Sequence, residues 1–419
     1  VSEPARGLLG RLSLARPEER GAVLWSFAYF FTLLCGYYLV RPVREEMGIR
    51  GGVENLPWAF TGTFLAMLVA VPLYSWLVAR VPRARAIPVV YRFFLLNLVA
   101  FWLLLRAGVA REQVARAFFV WVSVYNLFVV SVFWSYMADL WTSEQGKRLF
   151  GFIAGGGSLG ALCGPVLAGG LVGAVGVANL LLVSALLLEV AARCAGRLSR
   201  WATRGRAAAE AVGGGSLAGF AAVARSPYLL ALAAQTLCFT ASATIIYFQQ
   251  ARLVSDLVRD PAARTRLFAA VDLAVNLGAL ALQSLATGRI LALLGLGFAL
   301  AVHPVIAAGG LVATAAWPGL LVVTSVQALR RTVHFAVERP AREVLFTVVV
   351  REEKYKAKSF IDTVVYRGGD VLSAWGWRAL SGLGLGLTGA ALAATPLAVA
   401  WLLVARYLRR RHAALEVAR

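Results

Sequence analysis

FWSYMADLWTSEQGKRLFGFIAGGGSLGALCGPVLAGG, residues 133–170, decides the fold. An aromatic, apolar segment ends at Ala138–Asp139. A short polar hinge follows with Ser143, Glu144, Lys147 and Arg148. An uncharged run then opens on Gly155-Gly156-Gly157 and continues through Gly160, Gly164-Pro165 and Gly169-Gly170. In lipid there is no hydrophobic drive between helices, and small residues let backbones approach closely enough for van der Waals packing to replace it. The stretch therefore reads as the joint between two transmembrane helices.

Composition agrees. Of 419 residues, 60% are hydrophobic and 15% charged, against about 25% charged in a soluble domain. The net charge of +21 does not form one basic face for nucleic acid. It is clustered in the short gaps between apolar runs, which is the pattern of positive-inside topology. The four cysteines (Cys35, Cys163, Cys194, Cys238) lie in or beside apolar runs with no metal or disulfide spacing, and the three histidines form no zinc-type cluster in sequence. No cofactor is implied. The basic leader (Arg6, Arg11, Arg16, Arg20) precedes a long aromatic run, read as a retained first span rather than a signal peptide.

A crossing of about 30 Å needs about 20 helical residues. Outward from the opening stretch, this predicts an all-α polytopic protein of about twelve spans: Ala22–Val40, Pro57–Ala79, Ala86–Leu105, Ala117–Ala138, two from Leu149–Leu188, Pro227–Ala251, Leu267–Thr287, two from Ile290–Leu329, Phe360–Leu380 and Ser381–Ala405. Leu149–Leu188 is about twice too long for one crossing and must turn, at Gly173–Gly176. Ile290–Leu329 must turn at Trp317-Pro318-Gly319. Pro42 is placed to interrupt span 1, and Glu338–Lys358 reads as a charged connection. Residues 195–225, rich in Arg and Gly, read as a cytoplasmic linker between an N-terminal half (1–194) and a C-terminal half (226–419). Counting basic residues puts both termini and the linker in the cytoplasm. The 7–8 connection, with Arg252, Arg259, Arg264 and Arg266, runs against the rule.

A shift of 208 residues places Glu144 on Glu352, Arg148 on Lys356, Phe152-Ile153 on Phe360-Ile361 and Gly160 on Gly368. Two parallel six-helix repeats with a cytoplasmic linker resemble the major facilitator superfamily, whose substrate sites lie between the halves. Gly160-x3-Gly164-Pro165-x2-Ala168-Gly169 is similar to the span-5 signature of its antiporters. The 2–3 turn, VARVPRARAIP, lacks the aspartate of the superfamily's other loop signature.

Two stretches narrow the resemblance. Tyr37–Gly48, YYLVRPVREEMG, and the opening 4–5 joint look like the bacterial and plastid ATP/ADP translocase family. Arg41 matches that family's span-1 arginine, Arg44 stands for its lysine and Glu45 for its aspartate. Phe133-Trp134, Glu144, Lys147-Arg148 and Phe150-Gly151 follow the family's 4–5 joint. Where the family carries a span-4 glutamate, Ala117–Ala138 has no acidic residue and offers Ser123, Tyr125 and Asn126. The resemblance implies a monomeric, multi-pass transporter of the bacterial inner membrane that moves a small anionic, nucleotide-like solute by alternating access. Exchange and proton coupling both fit, and no Walker-type loop or paired catalytic residues point to an enzyme.

Intramembrane charge supplies the candidate residues, because ionisable groups in lipid are costly and face a cavity or a partner. For the solute these are Tyr37, Arg41, Arg44, Asn126, Tyr247, Gln249, Arg331 and His334. For coupling or gating they are Glu45, Asp139, Glu144, Lys147, Arg148, Asp272, Asp362, Arg367 and Asp370. Arg41 and Arg44 fit snorkelling anchors as well as anion ligands. Asp272 fits a proton or cation site, or a structural pair with an arginine of a neighbouring helix. Asp362, Tyr366 and Asp370, four apart, are expected to form one stripe.

Overall fold

The computed structural model describes residues 15–80, 83–201 and 216–417. Arg6 and Arg11 of the leader, and Arg204, Arg206 and Gly213–Gly215 of the linker, lie outside the described residues. The described residues are almost entirely helical. Helices α1 (Arg20–Arg50), α2 (Leu56–Arg80), α3 (Arg83–Ala107), α4 (Arg111–Leu140), α5 (Ser143–Val175) and α6 (Leu180–Leu198) precede the short α7 (Ser216–Arg225). Then come α8 (Pro227–Leu257), α9 (Pro261–Leu282), α10 (Gly295–Ala316), α11 (Leu320–Val333), α12 (Arg339–Leu345), α13 (Arg351–Phe360), α14 (Tyr366–Gly382) and α15 (Leu387–Val417).

Among the described residues nine helical stretches are long and apolar enough to cross a membrane. The other predicted spans are helical too, as α6, α11–α12 and α13–α14, but carry more charge, such as Glu189, Arg193 and Arg197 on α6. The fold is an all-helical, multi-span membrane fold. Both predicted turns occur. Gly176 ends α5 at φ +80°, a backbone that glycine adopts at little cost, and 317–319 separates α10 from α11.

Helices run longer than hydropathy predicts, and three expectations are corrected. Pro42 does not interrupt α1, which continues to Arg50. In a bundle, neighbouring helices re-satisfy the carbonyl that a proline leaves free. The polar hinge of Ser143, Glu144, Lys147 and Arg148 is instead the first turns of α5. Thr142 caps them by accepting from the Gln145 backbone N–H while the Gln145 side chain accepts from the Thr142 N–H. Glu338–Lys358 is mostly helical, and the break falls at Val349–Val350. The arginine-rich tail (Arg406, Arg409, Arg410, Arg411) continues α15.

The internal repeat reappears in the element bounds. Helices α1 and α8 each have 31 residues. Helix α5 begins at Ser143 and α13 at Arg351, the same 208-residue shift. The second copy differs by π-helical turns, at Gln283–Thr287, Ile290–Leu294, His334–Glu338 and Ile361–Val365. Such turns recur at functional sites.

Contacts divide the chain into two compact units. Unit 1 holds Val1–Gly51, Val69–Ala211 and Asp260–Leu273; unit 2 holds Gly52–Leu68, Val212–Arg259 and Ala274–Arg419. Thus α2 and α9 are each shared between the units. In unit 1, α1 is central and packs against α5 through glycine. A Cβ at Gly156 would lie 2.5 Å from the Phe27 carbonyl oxygen, and one at Gly164 2.7 Å from that of Cys35. Phe30 stacks on Phe133 with centroids 4.0 Å apart, and the Tyr29 and Tyr91 hydroxyls meet at 2.5 Å. In unit 2, α8 is the counterpart and packs on α14 and α15, around Phe239 and Trp401.

Candidate functional site

Each unit carries its own polar cluster. In unit 1 it stands on α1. Arg41 reaches Asp272 of α9 with Nη1 3.6 Å from Oδ1, and Asp272 is only 3% exposed. The arginine–aspartate pair between neighbouring helices is therefore present. A buried carboxylate is tolerable only when paired. One turn on, Arg44 bonds Glu45 (2.7 Å), donates to the Ser123 hydroxyl (3.3 Å) and lies over the Phe119 ring at 3.8 Å. The guanidinium is held on three sides, so its charge is fixed in place rather than free to snorkel. Tyr37 packs edge-on to Tyr38 and tilts against Tyr125, which stacks on Trp121. Asn126 follows Tyr125 and is half-buried. Tyr37, Arg41, Arg44, Glu45 and Asp272 thus share one neighbourhood.

The start of α5 makes a second, separate cluster. Arg148 and Gln145 both bind Glu19, at 3.0 and 2.9 Å, and tie α5 to the start of α1. Arg16 meets Glu144 at 3.6 Å on the surface. Lys147 is exposed, and Asp139 is half-buried near the end of α4. Glu19 is the anchor of this cluster, and nothing in its local sequence singles it out.

In unit 2 the polar core lies where α10 meets the π-helical turn after α11. His303 Nδ1 is 3.0 Å and His334 Nδ1 2.5 Å from the same carboxylate oxygen, Glu338 Oε2. Glu338 is 3% and His303 0% exposed, whereas His334 keeps 18%. Phe239 of α8 stacks on His334 with centroids 4.3 Å apart, and Trp401 of α15 packs against His303 at 4.8 Å.

One turn before His334 is Arg330, 4% exposed. Its Nε and Nη2 donate to Gln327 Oε1 at 3.3 and 3.0 Å, and its guanidinium lies 5.7 Å from the Phe239 ring. Among the described residues its Nη1 has no hydrogen-bond partner and it makes no ion pair. A buried cation in that condition is strongly destabilised unless an anion joins it. Arg331, the arginine chosen from sequence, is the less buried of the two.

The expected stripe on span 11 is broken. The π-helical turn Ile361–Val365 changes the angular step, so Asp362 bonds Arg342 (2.6 Å), whereas Asp370 pairs with Arg367 (3.3 Å). Tyr366 turns to Phe239 at 5.8 Å. Gln249 donates to the Leu387 carbonyl at 2.9 Å, and Tyr247 packs on Phe60. Both lie away from the histidines, toward the end of α8. There a cleft of about 490 Å³ is lined by Glu54, Phe248, Arg252, Trp377 and Arg378, among others. Arg252, one of the arginines that break the positive-inside pattern, is paired there with Glu54 (2.6 Å) and with Asp256 (3.1 Å).

Sequence reading missed Glu19, Arg330, Glu338 and His303 as site residues. The four-residue spacing of His334 and Glu338 was visible; that His303 joins them was not.

No protein-family model and no curated protein matches the sequence. Solved structures do match the backbone. A bacterial homologue of the human lysosomal transporter Spinster, inward-facing and unoccupied, aligns with TM-score 0.62 and 13% identity over 96% of this chain and 97% of that one. A bacterial homologue of the iron transporter ferroportin, inward-facing, gives 0.64 and 12% over 91% and 98%. A POT family transporter in complex with a thioalcohol-conjugated peptide gives 0.65 and 9% over 98% of both chains. Over nearly its whole length, the chain has the major facilitator fold.

Proposed function

We propose that the protein is a secondary transporter working by alternating access, with residues 1–194 and 226–419 as the moving halves, 195–225 as a cytoplasmic linker and both termini in the cytoplasm. Its solute is a small anion, nucleotide-like by the resemblance of Tyr37–Gly48 and the 4–5 joint to ATP/ADP translocases. The likeness to three transporters along nearly the full chain supports transport. The observation that carries the anionic solute is Arg330, a buried guanidinium that makes no ion pair among the described residues and whose Nη1 has no hydrogen-bond partner there. Arg41 and Arg44 add fixed positive charge in unit 1, and complementary charge concentrates anions.

Purified protein in liposomes tests this by counterflow of labelled ADP, ATP and a panel of organic anions. Arg330→Gln is expected to abolish counterflow while the protein still melts cooperatively. Absence of uptake of every solute with an intact fold rejects transport. Stabilisation by neutral solutes alone rejects the anion. Indifference of the melting temperature to ADP and ATP, with other anions active, rejects only the nucleotide.

A further inference from the structure

We propose that His303, Glu338 and His334 form a proton-binding site, loaded at His334 Nε2, which makes a proton the companion ion of the anionic solute; this rests on the transport reading above. The geometry fixes where protons sit. Both Nδ1 atoms aim at Glu338 Oε2, so with Glu338 ionised both rings carry their proton on Nδ1 and donate it to the carboxylate. That leaves each Nε2 as a bare acceptor. His303 Nε2 is buried with no partner among the described residues, so a proton placed there would be an unsatisfied donor. His334 is the partly exposed ring of the two, so loading is assigned to it. Loading forms one N–H bond at His334 Nε2 with a proton taken from water, and unloading returns it.

The surroundings suit that charge. The carboxylate contacts the loaded ring directly, and Phe239 offers its face to the imidazolium. The other charged and titratable groups near the cluster are Arg330 and Arg331 of α11, and Tyr366, Arg367 and Asp370 of α14. With Arg367 paired to Asp370, Glu338 is the carboxylate that faces the two cations Arg330 and Arg331 before loading. A proton on His334 adds one further positive charge, one helical turn from the buried Arg330 guanidinium. A solute anion cancels that charge, so proton and anion favour each other's binding, and the coupling is reciprocal. A divalent metal here would put two more positive charges beside buried Arg330, and charge balance favours the proton.

The chain has only three histidines, so the full protein labelled with nitrogen-15 histidine in lipid bilayers reads the site directly by solid-state NMR. His412→Gln removes the one ring outside the cluster. Expected is a neutral His303 with its proton on Nδ1 throughout, and a His334 that gains a second proton as pH falls. Glu338→Gln should weaken proton binding at His334 by about tenfold or more, because a charge-assisted bond is lost. His334→Gln provides a second variant should Glu338→Gln fail to fold, and should leave no ring that loads a second proton. Identical titration in wild type and Glu338→Gln, a second proton on His303, or zinc added at neutral pH and bound stoichiometrically by both rings would each overturn the site. In liposomes, counterflow that ignores pH in wild type overturns proton coupling and leaves transport standing. Proton loading without transport of any solute leaves the proton site and rejects the transport reading.

Discussion

Gly160→Ala should destabilise the protein, whereas Gly170→Ala, on the same helix, should not. A methyl group at Gly160 would lie 2.9 Å from the Cys35 backbone nitrogen and closer still to the Phe31 carbonyl oxygen. Neither neighbour is a side chain that can rotate away; α1 itself would have to move from α5. Overpacking of this kind costs about 1–3 kcal/mol. Gly170 is exposed, and its methyl would meet nothing within 4 Å. Both variants share the helix-propensity gain of glycine to alanine, roughly 0.5–1 kcal/mol. The difference between them therefore isolates the contact, at about 1–3 kcal/mol. Thermal melting of the two purified variants beside wild type, in one detergent, gives the order. Gly170→Ala should melt at or above wild type and Gly160→Ala below it. Equal shifts of the same sign would mean that α1 and α5 are not packed through glycine, and the reading of residues 133–170 would fail with them.

Arg41→Ala leaves Asp272 buried without its ion pair, and should cost about 3–5 kcal/mol; Arg41→Ala with Asp272→Asn should recover much of the loss, as measured by folded yield and melting. If Arg44 and Asp272 serve transport, Arg44→Ala and Asp272→Asn abolish counterflow at near-normal expression, and full activity in both rejects the unit 1 assignment. Glu19→Gln removes the negative charge shared by Arg148 and Gln145 and one of its two acceptor oxygens and should cost about 1–3 kcal/mol, seen as a lower melting temperature; no change would make that cluster a surface contact only.

The major features of the fold were legible because hydropathy and length act residue by residue. A run too apolar for water and too long for one crossing must turn, and the turns at Gly173–Gly176 and Trp317–Gly319 are where glycine and proline allow it. Helix ends were less legible. Hydropathy marks where lipid stops, not where hydrogen bonding stops, so α1, α5 and α15 outrun their apolar cores. Among the candidate residues, Arg44 and Glu45 are adjacent in sequence and bond in the structure, whereas the pairing of Arg367 with Asp370 was not among the expectations.

What the sequence determined by itself is the membrane class and the glycine face of residues 156–164. Each follows from composition or spacing along one helix. Tertiary structure alone decided which charges are neutralised. Asp272 is paired because α9 crosses α1 at Arg41. Arg330 is buried without an ion pair among the described residues because its turn faces Phe239 and Gln327. His303 meets Glu338 because a π-helical turn carries His334 and Glu338 up to α10. The energy of a charge in a low-dielectric interior depends on what lies within a few ångströms of it, and that distance is set by helix packing.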